Sequence, residues 1–172
     1  MSGCAVPHQL DPSAQNADLS GSTIIVMGVS APRQLQVSGG TVEPTGEWNS
    51  GDSTFAAANA KSVAGYIVVK LAATSANQSY ALTGILDTFV FGNQFHACNG
   101  GQTMTFDAPA GKVIFVGDLV LDESSLGRGK FRITTDSERA RAYLRERYPA
   151  LADRMIAKPG VMRVSLSGPC NG

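Results

Sequence analysis

A mainly β chain, folded as an antiparallel β-sandwich with one amphipathic helix near its C-terminus, is the fold class this sequence predicts. Charged residues make up only 16% of the 172 while Gly occurs 19 times, a balance that suits short strands joined by many turns. Apolar runs rich in Val, Ile, Thr and aromatic residues recur between clusters of Gly, Pro, Asn and Ser. Helical spacing of apolar residues is sustained in one place alone, beyond Thr135. The apolar fraction of 43% belongs to a chain with a core. The length favours one domain, expected over residues 21–172 with about seven to nine strands.

Residues 1–20 contain Pro7, Pro12 and small polar residues without periodicity, and read as a flexible tether. Thr23 to Val29 is a continuous apolar run of the kind a buried strand uses. Arg33 to Val37 alternates weakly as a second strand. Ser38 to Ser62 is rich in Gly, Thr, Asn and Ser, holds the single Trp, Trp48, and reads as a long loop with a short strand around Thr54-Phe55-Ala56. Tyr66 to Leu71 is a buried strand, and Tyr80 to Leu86, beyond the Ser75–Gln78 turn, is its expected antiparallel neighbour. Phe89 to Cys98 and Gln102 to Phe106 flank Asn99-Gly100, a dipeptide that accepts positive φ and signals a hairpin. Lys112 to Leu121 follows the Ala108-Pro109-Ala110-Gly111 turn, with a bulge expected at Gly117. Lys130 to Thr134 and Val161 to Leu166 complete the strands.

The helix is expected at about 136–157. Thr135 and Glu138 have capping-box spacing, each side chain answering an orphan N–H of the first turn. Ala140, Leu144, Tyr148, Leu151 and Met155 form the apolar stripe, broken at Tyr148 because Pro149 disfavours the α conformation before it. Arg139, Arg141, Arg145, Arg147 and Arg154 flank this stripe. Such a face either lies on anionic headgroups or packs across a sheet with Arg stems covering the rim, the more common case.

Net charge is zero but uneven. Up to residue 110 seven acids face three bases, and beyond it eleven bases face seven acids. The basic excess is mixed with acids and lacks strand aromatics, so nucleic acid is not an expected partner. No phosphate loop, dinucleotide fingerprint or zinc spacing occurs, and no cofactor or metal is expected. Gly28-Val29-Ser30-Ala31-Pro32 begins like a nucleophile elbow but lacks the second Gly, leaving a hydrolase to recruit His96. Asp118 with Asp122-Glu123 is the one local carboxylate cluster, and charges after a strand ordinarily mark its solvated end. Trp48 in its loop, with Arg139, Arg141 and Arg145, is the surface on which a partner would be sought, although a lone Trp more often packs on its own domain.

Three Cys occur. If Cys4 is lipidated, Cys98 and Cys170 remain as an even pair, suited to one disulfide in an oxidising compartment. Such a bridge closes a loop of roughly 70 residues, worth about 4 kcal/mol on chain-entropy grounds. In a cytosolic chain all three are ordinary thiols.

Ser2-Gly3-Cys4, followed by a Pro-containing tether and a β-rich body, resembles the cleavage junction of small bacterial lipoproteins of uncharacterised function. Met1 stands where that family prefers an aliphatic residue. The resemblance implies a lipid on Cys4, a thioether-linked diacylglyceryl group with an acyl amide, and a place on the periplasmic side of the cell envelope. Thr105 to Gly117 is similar to the strand, Pro-x-Gly turn and aromatic strand of immunoglobulin-like and prealbumin-like periplasmic domains. The expected role is a non-enzymatic binding or assembly module at a membrane surface, with the membrane, through the lipid on Cys4, and another envelope protein as partners. The alternatives are a periplasmic hydrolase and a cytosolic or phage-derived structural protein.

Overall fold

The computed structural model of the chain describes residues 9–30, 32–51, 56–87, 93–122 and 130–168. In chain order its strands are β1 (Ser22–Val29), β2 (Arg33–Val42), β3 (Trp48–Asn49), β4 (Ala56–Lys61), β5 (Tyr66–Ala72), β6 (Gln78–Asp87), β7 (Asn93–His96), β8 (Gln102–Phe106), β9 (Val113–Leu121), β10 (Phe131–Thr134), β11 (Met155–Ala157) and β12 (Val161–Val164). Two helices, α1 (Ser137–Arg147) and α2 (Pro149–Ala152), lie between β10 and β11.

The protein is mainly β, with its strands in two sheets. The first runs β10-β9-β1-β5 with β11 also beside β9; the second runs β12-β8-β6-β2-β3, with β4 beside β2 and β7 beside β6. Alternation on β1 explains the layering. Ile25, Met27 and Val29 join Ile67, Val69, Ile114 and Val116 in a core shared with Leu35, Val37, Leu82, Ile85 and Met104 of the second sheet. Ile24 and Val26 point the other way, with Val68 and Phe115, onto Ala140, Leu144, Tyr148, Leu151 and Met155 of the helical segment. Both faces of the first sheet are therefore covered, which is why its strands read as unbroken apolar runs.

That double cover also explains a correction to the wholly antiparallel expectation. β1 pairs with β9 in parallel, as does β11, whereas β5 and β10 are antiparallel to their neighbours. Parallel pairs occur where both sheet faces are buried. Strands among the described residues also number more than the seven to nine expected, because much of 38–62 is strand rather than loop; Thr54 and Phe55 of the short strand expected there lie outside the described residues. β2 continues to Val42, and β3 and β4 pair with it. Their polar residues occupy the outer face, where Gln34 donates to Asn59 (2.6 Å) and Ser38 bonds Thr83 (2.9 Å), while Leu35, Val37, Ala58 and Ala60 face the core.

Two pairings differ from expectation. β5 and β6 lie in different sheets, because Ala73 to Asn77 carries the chain across the core. β7 and β8 both pair with β6 in the same direction, at Gly84–Leu86 and Tyr80–Ala81 respectively. Asn99-Gly100 is thus an excursion between two successive edge segments. Gly100 has the positive φ of 82° that the dipeptide promised, without a hairpin around it.

The helix is shorter than 136–157. It pauses at Tyr148 as Pro149 requires and ends at Ala152, and residues 155–157 pair with β9 as β11. Asp136 rather than Thr135 is its N-cap, accepting from the Arg139 N–H at 3.0 Å. Residues 9–20, expected as part of the tether, pack on the domain instead. Leu10 donates its N–H to Val68 O (2.7 Å), Gln9 Oε1 accepts from Val68 N–H (3.0 Å), and Leu19 is buried in the helix-side core. Residues 9–20 thereby cover the β5 edge.

Candidate functional site

Two of the residues singled out in the sequence converge on one feature, the C-terminal segment beyond β12. β12 pairs antiparallel with β8 through Val164, and the chain continues extended. Ser165 donates to Gly101 O (2.7 Å) and accepts from Gly100 N–H (2.8 Å), and Gly168 O accepts from Asn99 N–H (2.9 Å). On the opposite side Leu166 donates to Trp48 O (2.8 Å), and Ser50 N–H donates to Ser167 Oγ (2.9 Å). A parallel bridge joins Trp48 to Ser165. β3 and β12 are the two ends of the second sheet, so this segment brings the sheet almost to closure.

Trp48 is the floor of that closure. It is fully buried, so it offers no surface to a partner. Gly40 accommodates it: a Cβ there would come within 2.7 Å of the indole ring. Its Nε1 finds no hydrogen-bond partner among the described residues, and the same holds for Ser79 Oγ, whose residue is the cross-strand neighbour of Gly40. Arg163 straps the outside, donating to Gly46 O (3.0 Å) and Thr105 Oγ1 (3.2 Å). Cys98 immediately precedes Asn99, and Gly168 lies two residues before Cys170. Cys4 and Cys170 themselves lie outside the described residues.

The best-organised titratable cluster stands under the N-terminus of α1. Tyr66, Gly28, Asp118 and Thr134 occupy one row across four strands. The register shifts just before Asp118, at Gly117 with its φ of 118°, the bulge anticipated in the sequence. Gly28 supplies the space, since any Cβ there would collide with the Asp118 carboxylate. Asp118 Oδ2 accepts from the Asp136 N–H at 3.2 Å. Burial pushes the Asp118 carboxyl above its ordinary value, against the Asp136 N–H and the Arg139 charge that pull it down. Tyr66 stacks on Tyr143 with ring centres 4.5 Å apart. Burial raises both hydroxyls to about 12, with Asp118 adding to the shift at Tyr66 and Tyr148 at Tyr143. Neither hydroxyl has a hydrogen-bond partner among the described residues. This corner is tightly filled and seats the helix.

The other sequence candidates are dispersed. Arg139 and Arg145 are exposed, but Arg141 is structural: it donates to Ala152 O (2.7 Å) and Met155 O (3.2 Å), tying α1 to the turn before β11. His96 is exposed on β7 of the second sheet and Ser30 immediately follows β1 of the first, so the two hydrolase candidates belong to different sheets. A gap between the sheets, lined by Ile25, Met27, Leu35, Ala58, Ala60 and Ile67, has about 10 Å³ for the centre of a water-sized body. It is apolar and too small for an organic ligand. Among the described residues no three His, Cys, Asp or Glu side chains gather as metal ligands, and no helix is long and apolar enough to cross a membrane. The convergence on the tail was invisible in the sequence, because hydrogen bonds from Leu166 to Trp48 and from Asn99 to Gly168 leave no local signal. No family model, curated protein or solved structure matches this chain.

Proposed function

We propose that this chain is the folded body of a bacterial envelope lipoprotein, a non-enzymatic binding or assembly module anchored through Cys4 and cross-linked between Cys98 and Cys170. The observation that carries the proposal is the 2.9 Å bond from Asn99 N–H to Gly168 O, which brings the tail alongside Cys98 two residues before Cys170. A disulfide there belongs to an oxidising compartment, the same address that Ser2-Gly3-Cys4 implies. The fold is read as a β-sandwich that departs from immunoglobulin-like and prealbumin-like patterns in its parallel pairs and in the near-closure of one sheet.

The anchor also orients the domain. Gln9 and Leu10 hydrogen-bond Tyr148 at the end of α1, and the five residues from Cys4 to Gln9 span at most about 17 Å. A lipid on Cys4 therefore holds this end of the helix close to the headgroups. The opposite, polar face of the second sheet, with Gln34, Gln36, Asn59, Thr83 and the exposed Lys61 across from Gln34, is turned toward partners. Peptide mapping of the protein isolated from its native cells tests the anchor. The expected result is an envelope-fraction protein whose N-terminal peptide begins at a lipid-bearing Cys4. An unmodified Cys4 in soluble protein contradicts the proposal.

A further inference from the structure

We infer that Asn99-Gly100 is a self-modifying site, a deamidation point that the Ser165–Gly168 segment guards and whose conversion to isoaspartate unseats that segment. The inference rests on neither the lipid anchor nor the cysteine pairing. In an Asn-Gly pair the next backbone nitrogen readily reaches the Asn side-chain carbonyl, because Gly brings no Cβ to shield it. The sequence holds two such pairs, and Asn99-Gly100 is the one among the described residues, with both members exposed to water. Its backbone is held in a form that prevents the reaction. Gly101 N–H donates to Cys98 O (2.9 Å) around a Gly100 of φ 82°, and Asn99 is not among the residues of positive φ, which makes the turn type II. The Asn99 ψ of such a turn is about +120°, so the Gly100 nitrogen stands away from Cβ instead of eclipsing it as a five-membered ring requires. The segment clamps this geometry: Asn99 N–H donates to Gly168 O (2.9 Å), Gly100 N–H to Ser165 O (2.8 Å), and Ser165 N–H to Gly101 O (2.7 Å). The nitrogen that would attack is one that the segment holds. Leu166, the one large apolar side chain of the segment, is 37% exposed. Hydrogen bonds rather than apolar burial keep it seated, and segments held this way open at low cost.

Opening frees the Asn99 ψ, and water is the only co-reactant needed. The Gly100 nitrogen attacks Asn99 Cγ and forms the N–Cγ bond. The Cγ–Nδ2 bond breaks, and the Gly100 amide proton leaves with that nitrogen as ammonia. Water then opens the succinimide at one of its two carbonyls, giving aspartate or isoaspartate at position 99, with no change of oxidation state. Isoaspartate routes the main chain through Cβ, which adds a methylene between the two N–H groups that Gly168 O and Ser165 O accept from. It also sets a carboxylate beside those two carbonyl oxygens. The spacing and the charge then both oppose reseating, and Leu166 is drawn from its bond to Trp48 O, so the indole loses its cover.

The full chain is aged in mildly alkaline buffer, folded and in urea, and peptide mapping by mass follows Asn99 separately from Asn171. Conversion at position 99 should be at least about tenfold slower in the folded protein, because only its open state reacts; equal rates overturn the guard. Ser165→Pro removes the N–H bonded to Gly101 O, and Leu166→Pro removes the N–H bonded to Trp48 O. Both should speed conversion severalfold while the far-UV β signal is kept. Folded variants that convert at the wild-type rate mean that the turn alone protects, which overturns the guard. Hydrogen exchange on the unaltered protein decides where a variant does not fold. The Gly100 and Leu166 amides should exchange together, and a Gly100 amide that exchanges as fast as an unprotected one overturns the guard. Acrylamide should quench Trp48 fluorescence severalfold more strongly in the isolated isoaspartate form than in unaged protein, and equal quenching overturns the unseating.

Discussion

At Asp118 a carboxylate, a glycine and a helix N-terminus decide one another's positions. The carboxyl is pushed up, chiefly by burial, so folding favours its protonated form. The stability it contributes is fully present below the ordinary value of 3.8 and is lost as pH rises through the raised folded value. Asp118→Asn should therefore flatten this part of the stability–pH curve and leave the protein as stable or slightly more stable at pH 7. Partial exposure holds the gain under about 1 kcal/mol. Urea midpoints for both proteins between pH 4 and 7 would check this. Tyr66 and Tyr143 act in the same sense at the alkaline end. Their folded values of about 12 mean that stability falls from pH 10 upward, as the unfolded chain ionises and the native chain does not. Trp48→Ala removes a fully buried side chain and should cost about 3–5 kcal/mol. Little of this was legible in the sequence. Asp118 read as a solvated strand end because Gly28, ninety residues earlier, gives no hint that it stands opposite. Trp48 read as a loop residue because Gly and Thr around it masked a two-residue strand.

Among the elements, α1 shows how local chemistry and tertiary pairing share control. Its apolar stripe, its break at Pro149 and its cover of one sheet were legible because each is a short-range signal. Its end was not. Met155 to Ala157 keeps the helical phase of the stripe, yet its backbone bonds go to β9, and only the exposed edge of that strand determines this. Leu144→Ala, at a residue with no exposed surface, should cost about 2–5 kcal/mol, and Asp136→Ala should cost about 1 kcal/mol through its N-cap bond. Thermal denaturation of the two variants would rank them in that order. Asn99-Gly100 carries the same lesson in the other direction: the dipeptide fixed a positive φ, but the flanking strands chose β6 as their common neighbour.

Across the whole molecule, a covered mixed sheet and a nearly closed antiparallel one share a single core, and the segments 9–20 and 165–168 are pinned to different places. The N-terminal segment lies on the β5 edge and the helix end; the C-terminal segment bridges β3 and the Asn99-Gly101 excursion. The mainly β class was legible from composition and apolar runs. Topology was not, because parallel pairs and sheet closure depend on contacts distant in sequence. Removing the C-terminal segment from Ser165 onward should leave the two-sheet core folded while exposing Trp48 to quencher, since that segment contributes little to either apolar cluster. The central claim, that Cys98 and Cys170 hold this segment in an oxidising compartment, is tested most directly by a non-reducing peptide map of protein alkylated at once on cell lysis. One peptide pair joined through Cys98 and Cys170 is the expected result, and recovery of both cysteines as separate alkylated peptides would overturn the pairing.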